Sequence, residues 1–335
     1  MAGVSSPTAT ATRTRLPALG GFGIVIASAA LFGMLGPLSR FAYDAGMEPT
    51  SFVAWRAAVG LVTLGLVIAW GVRRGTMQLV RLGELSTRDR AALLIAAIMG
   101  FTLNLAMFIA FDRITIVLAL LGFYTYPAMV AVVSVVLGRE RLDGTRLVAL
   151  GLAIVGMAAV VAAQLDPASG IRFDVIGIAL ALGAALSQTV YVTVSRDGYR
   201  SVPAEQAIFV VLVVSSVGAA VVAIVAGGGL DALIHPLRSP TVLPLLVFTG
   251  VVTAAIPSLG FLRGIRAIGG MRAGILMLFE PVVGVALAAW LLGEGLAPIQ
   301  VVGAAAILVA ALLLQRSHAV TDDDLDSPPV VPVGP

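Results

Sequence analysis

The chain has 335 residues, of which 59% are apolar and only 12% charged, with a net charge of +3 and a mean hydropathy of +1.04. A soluble domain carries about a quarter charged residues, so the composition is that of an integral membrane protein and leaves no room for a separate soluble catalytic domain. There is no cysteine, and the two histidines, His235 and His318, fall in predicted loops; disulfides and Cys-based metal sites are excluded, and no cofactor is implied.

Residues 1–19 are a Ser/Thr/Ala-rich tail with Arg13 and Arg15. The apolar run that follows is long and leads into further spans, so it reads as an uncleaved first helix rather than a leader. A spanning helix needs about 20 mainly apolar residues. Ten runs meet that requirement, at 20–41, 50–72, 90–111, 115–138, 145–164, 174–195, 204–227, 241–262, 272–293 and 297–315. The tail 316–335, with Asp322, Asp323, Asp324, Asp326 and a series of prolines, is expected to be disordered.

The 21 Lys and Arg residues are all arginine, and all but Arg56 flank the apolar runs, so the pI of about 9.8 does not point to nucleic acid. With both termini cytoplasmic, the inner segments hold Arg13, Arg15, Arg73, Arg74, Arg81, Arg88, Arg90, Arg139, Arg141, Arg146, Arg196, Arg200, Arg263, Arg266, Arg272 and Arg316. The outer segments hold only Arg40, Arg113, Arg172 and Arg238. That skew fits the positive-inside rule and requires an even number of spans.

The second half repeats the first. Pro49, Pro127 and Glu140 each have a twin 154 residues later, Pro203, Pro281 and Glu294. Gly100, Phe111 and Arg113 match Gly250, Phe261 and Arg263 at an offset of 150. A five-helix unit is odd, so its second copy enters the membrane upside down, as in transporters built from inverted repeats. The expected architecture is therefore all-α and integral to the membrane: ten transmembrane helices in two inverted five-helix repeats. The first repeat covers 20–164, an external linker 165–173, and the second repeat 174–315.

The Leu-Gly-(x)-Glu-(x)-Leu signatures at Leu137–Leu142 and Leu292–Leu296, the Glu280-Pro281 pair and Arg56 within Phe52-Val-Ala-Trp55-Arg56 resemble the EamA type of the drug/metabolite transporter superfamily. The likeness covers residues 20–315, with Arg139 inserted in the first signature as a departure. It implies a bacterial inner-membrane carrier working by alternating access, commonly an exporter of amino acids or other small metabolites.

Two ionisable residues lie well inside spans, Arg56 and Glu280, and each occurs in one half only, its twin being Val210 or Tyr126. Intramembrane charges are costly and mark function by default. Arg56, at a depth of roughly 10 Å from the helical rise, either anchors a solute carboxylate or binds neighbouring carbonyls. Glu280 either exchanges a proton, binds an amino group, or caps carbonyls freed by Pro281. Phe101, Asn104, Phe108 and Phe111, at i, i+3, i+7 and i+10, form a stripe in the third span that either meets an amphiphilic solute or is simply packing. Gln188 and Tyr191 share a face of the sixth span, with Phe32 as the repeat partner of Gln188; Tyr126 and Ser258 complete the candidates. Pro37, Pro127, Pro257 and Pro281 are hinge candidates. The pathway is placed in spans 1, 3, 4, 6, 8 and 9. Spans 5 and 10, with small residues such as Gly151, Gly156 and Gly303, are read as scaffold or as a contact with a second copy, a homodimer.

These features favour a secondary carrier of a small metabolite, an amino-acid or related amphiphilic exporter with protons as a coupling ion, in contact with lipid and not with nucleic acid. An importer of a vitamin- or nucleoside-like solute and a multidrug or cation exporter are the alternatives. An intramembrane enzyme would need convergent nucleophiles, paired acids or a metal site, and a channel would need a polar ring or selectivity loop; neither is visible.

Overall fold

A computed structural model describes residues 18–114, 116–139, 143–162, 174–292 and 297–326, and every regular element among them is helical. The signature glutamates Glu140 and Glu294 and the linker 165–173 lie outside the described residues, as do the segments before 18 and after 326.

Seven of the predicted runs are helical segments long and apolar enough to cross a bilayer: Pro49–Arg73, Thr87–Ala110, Ala119–Val136, Gly144–Ala162, Val175–Asp197, Ala204–Ala226 and Val242–Ile268. Gly20–Gly33 and Pro298–Leu314 are shorter apolar helices. The first run is split into α1 (Ala18–Gly33) and α2 (Leu35–Asp44). It is followed by α3 (Pro49–Arg73) and α4 (Thr87–Arg113); the fourth run is split into α5 (Ile116–Phe123) and α6 (Tyr126–Val136), and the fifth is α7 (Gly144–Ala162). In the second half, α8 (Val175–Asp197) and α9 (Ala204–Ala226) are continuous. A short α10 (Gly229–Arg238) occupies the predicted loop 228–240, so His235 is helical. The eighth run is α11 (Val242–Gly250), a π-turn at Val251–Ala255 and α12 (Ile256–Ile268); the ninth is split into α13 (Gly270–Met277) and α14 (Glu280–Leu292).

The last helix, α15 (Pro298–Asp326), runs past the predicted limit at 315 and takes in His318 and the four aspartates expected in a disordered tail. After Pro298 no proline occurs before Pro328, so the sequence supplies no strong stop signal until then.

The breaks have one cause. Proline has no backbone N–H for the carbonyl four residues earlier, and its ring clashes with that carbonyl. Accordingly α1 stops at Gly33 before Pro37, α5 at Phe123 before Pro127, and α13 at Met277 before Pro281; the π-turn contains Thr253, four residues before Pro257.

The packing pairs equivalent elements of the two halves. The helix α3 packs on its equivalent α9 and α7 on α15, and α4 lies along α8 as α12 lies along α1; α6 of the fourth run meets α13 of the ninth, whose equivalent in the first half is α5. Lipid tails are as apolar as the helices, so these contacts depend on close van der Waals approach through small residues. At the α7–α15 crossing, a Cβ at Gly156 would stand 2.6 Å from the Gly303 carbonyl oxygen, and one at Gly303 would stand 2.5 Å from that of Gly156. Gly151, grouped with them from sequence, has nothing within 4 Å of its Cβ position.

One end of the bundle is laced by polar groups. Val80 donates its N–H to Gln206 Oε1 at 3.0 Å, and Gln206 Nε2 donates to the Val80 carbonyl at 2.6 Å, clipping the irregular segment before α4 onto α9. Arg263 pairs with Glu205, and Arg266 donates to the Val202 and Tyr199 carbonyls with its guanidinium 5.2 Å from the Tyr199 ring centre. At the opposite end, Arg113 meets Asp174 at 3.1 Å and holds its carboxyl below the usual range; Asp174 also caps α8 by accepting from the Gly177 N–H.

Gly156→Ala is expected to destabilise the purified protein by about 1–3 kcal/mol through overpacking, whereas Gly151→Ala stays within about 0.5 kcal/mol of the parent. Thermal denaturation in detergent measures both, and equal melting temperatures would contradict the α7–α15 contact.

Candidate functional site

The broken helices enclose a cavity of about 210 Å³ between the two halves. That exceeds the ~150 Å³ that holds a benzene molecule and is smaller than the ~300–1,000 Å³ typical of drug-sized sites. Its polar lining is sparse and comes from distant parts of the chain: Arg56, Asn104, Tyr124, Tyr126, Gln188, Tyr191, Ser215, Ser258 and Glu280. Phe32, Phe108, Phe123, Phe261 and Met277 supply much of the apolar wall.

Arg56 is buried in the N-terminal half of α3. Its Nη1 donates to the Thr253 carbonyl at 3.0 Å and its Nη2 to Asn104 Oδ1 at 2.8 Å, while Nε is buried without a partner. Asn104 in turn donates through Nδ2 to the Gly100 carbonyl at 2.8 Å. No ion pair to Arg56 is found among the described residues.

Glu280 begins α14, directly after the break that Pro281 imposes, so its side chain leaves the chain at the cavity wall. The Tyr124 hydroxyl is within its hydrogen-bonding reach, and it is close enough to Arg56 for each to feel the other's charge. Gly33 makes this approach sterically feasible: a Cβ there would lie 2.5 Å from the Glu280 carbonyl oxygen, so only glycine lets the end of α1 come so close to the start of α14. Tyr126, the repeat twin of Glu280, faces the same cavity with Gln188 beside it.

Of the predicted site residues, Glu280, Arg56, Asn104, Tyr126, Gln188, Tyr191, Phe108, Phe32 and Ser258 all line the cavity. Phe101 does not. Its ring lies against Gly218 of α9, within 2.8 Å of where a Cβ there would stand. The face of α4 at the cavity carries Gly100, Leu103, Asn104, Met107 and Phe108, and at about 100° per residue Phe101 falls at its edge. The cavity also takes in α3 and α9, the latter through Ile208, Val211, Leu212 and Ser215, two spans outside the set expected from sequence to hold the pathway. Tyr124 was missed too, although the aromatic run Phe123-Tyr124-Thr-Tyr126 ahead of a mid-span proline was a usable signal. None of the lining comes from α7 or α15. Of the four hinge candidates, Pro127 follows a break flanked by the lining residues Phe123 and Tyr126, Pro257 a turn that includes Ala254, Pro281 a break flanked by Met277 and Glu280, and Pro37 the break between Phe32 and Leu35.

Replacing Phe108 with Ala is expected to weaken solute binding several-fold. Phe101→Ala should lower the melting temperature but leave affinity unaltered. Parallel binding and melting curves of the two variants separate these outcomes, and loss of affinity in both would move the boundary of the site.

A solved structure described only as a crystal structure of a protein is 18% identical to this chain; the match covers 92% of this chain and 99% of that one with a TM-score of 0.73, a likeness of fold. No curated protein matches the chain. The model of the EamA-like transporter family matches residues 19–162 and again 175–316, once for each half that meets at the cavity. The chain is a membrane protein belonging to the EamA-like transporter family.

Proposed function

We propose that the protein is a secondary carrier that moves a small zwitterionic metabolite, an amino acid or a close relative, by alternating access, with export as its working direction. The observation that carries this reading is that Arg56 and Glu280, far apart in sequence, face one small cavity whose remaining walls are largely aromatic and aliphatic. A guanidinium offers a charge-assisted hydrogen bond to a carboxylate. A carboxylate offers the same to an ammonium group, and the aromatic walls accept an apolar side chain. The cavity volume suits a solute of that size rather than a bulky drug.

In this reading the ten predicted spans form two inverted repeats with both termini cytoplasmic, in a bacterial inner membrane. The pairing of equivalent helices supports it, since α3 on α9 and α7 on α15 are the self-contacts that a two-fold axis in the membrane plane generates. The arginine-laced end of the bundle then lies on the cytoplasmic side. Glu280 is the proposed proton-coupling group, because it is the one carboxylate among the described residues that line the cavity. The protein is proposed to act without catalysis or cofactor, and α7 and α15, which sit outside the cavity, remain the candidate faces for a second copy.

The test is uptake of radiolabelled amino acids into proteoliposomes under an imposed pH gradient. Arg56→Gln is expected to lose affinity by roughly tenfold or more for solutes bearing a carboxylate, with little change for the matching amides. Glu280→Gln is expected to remain folded and to bind solutes bearing an ammonium group more weakly, while its residual transport no longer responds to the gradient. Equal losses for acids and amides, together with an unchanged gradient response, would refute the assignment. Transport of bulky cations alone would identify a drug carrier instead.

A further inference from the structure

The proline in the eighth span does more than bend a helix. Because residue 257 has no N–H, the Thr253 carbonyl loses its usual donor, and a π-turn forms over Val251–Ala255. That carbonyl is buried in the bundle, where an unmatched acceptor is expensive. It is taken up by Arg56 Nη1 at 3.0 Å. The second anchor is Asn104 Oδ1 on Nη2 at 2.8 Å, and Asn104 is itself fixed because its Nδ2 donates to the Gly100 carbonyl at 2.8 Å. Both ends of the Asn104 amide are therefore engaged within the protein. Arg56 is tethered by two neutral acceptors on two different elements, and its buried Nε remains unpartnered.

This arrangement differs from a structural ion pair. Two neutral acceptors restrain the guanidinium plane without cancelling its charge, and they leave N–H groups over for another acceptor; a guanidinium has five. We propose that Asn104 and the Thr253 carbonyl are positioning groups that hold the Arg56 guanidinium as a carboxylate receptor at the cavity wall, and that Pro257 serves to release that carbonyl for the task. The proposal rests on the carboxylate-binding reading of Arg56 given above. It reassigns Asn104 from solute contact to support, and Pro257 from hinge to anchor.

The experiment measures equilibrium binding of benzoate and of its neutral isostere benzamide to the purified full-length protein, for the parent and for Asn104→Leu, Asn104→Asp and Pro257→Ala. The probes are small enough for a cavity larger than one that holds benzene. Asn104→Asp retains the size of the side chain but supplies an internal counter-ion, so benzoate affinity should fall by roughly tenfold or more while benzamide binding is unchanged. Asn104→Leu should reduce the preference for benzoate without that competition. In Pro257→Ala the restored N–H at residue 257 reclaims the Thr253 carbonyl, leaving Asn104 as sole anchor, so the preference should drop by less than in Asn104→Asp. Melting temperatures of the unliganded variants report on folding separately. If the preference for benzoate survives all three substitutions, or if both probes weaken alike, the positioning role is wrong. If the parent binds benzoate no better than benzamide, the carboxylate reading of Arg56 falls first and this proposal falls with it.

Discussion

A proline inside a membrane-spanning helix strips a donor from the carbonyl four residues before it, and in hydrocarbon no water replaces that donor. Such a break is tolerable only where it faces protein or a hydrated cavity. In this chain the constraint applies four times, and all four breaks are at the cavity: residues 32 and 35 flank the first, residue 123 ends the second, residue 254 lies in the third and residue 277 ends the fourth. The cavity is where the prolines allow it to be. Around it, the unbroken helices α3, α4, α8 and α9 supply most of the polar side chains, and α7 and α15 close against each other away from it through the Gly156–Gly303 contact.

The charges follow from the same geometry. A buried arginine inside a span is costly unless its donors find acceptors, and a proline-freed carbonyl is an acceptor in need of a donor; Arg56 Nη1 supplies that donor to the Thr253 carbonyl, while Nε stays unpartnered. Glu280 sits immediately after another proline break, where the chain bends and the side chain projects into the open space. The repeat accounts for why these positions face each other. Glu280 and Tyr126 are equivalent residues, as are Gln188 and Phe32, and all four reach the same cavity from opposite halves. Equivalent backbone positions have therefore diverged, a carboxylate in one half against a phenol in the other and an amide against a phenyl ring, which gives a polar asymmetry within a nearly symmetric frame.

Much of this was legible in the sequence because it depends on local rules. Hydropathy located the runs, and the prolines located the breaks to within a turn. The rarity of intramembrane charge singled out Arg56 and Glu280, and both line the cavity. Helical phase was less secure. Choosing the stripe on α4 by its aromatic residues rotated it toward Phe101, whereas the true face includes Gly100, Leu103 and Met107, which carry no distinctive signal. The contribution of α9 was invisible for the same reason, since Ile208, Val211 and Leu212 look like any lipid-facing residues until their neighbours are known. The helical segment α10 was hidden by its flanking glycines and Pro236, which read as loop signals. Asn104 lines the cavity, yet its engagement with Arg56 and Gly100 is a tertiary fact that no one-dimensional pattern contains.

The central claim is that solute occupies the space between the two halves. The absence of native cysteine makes this directly measurable. A single cysteine in place of Ser258, on the cavity wall, can be modified with a small water-soluble thiol reagent in membranes, with and without transported solute. The account predicts that the site reacts and that solute slows the reaction in proportion to its occupancy, while a cysteine at Gly151, outside the cavity, gains no such protection. Transport that continues normally while solute leaves the Ser258 position equally reactive would contradict it.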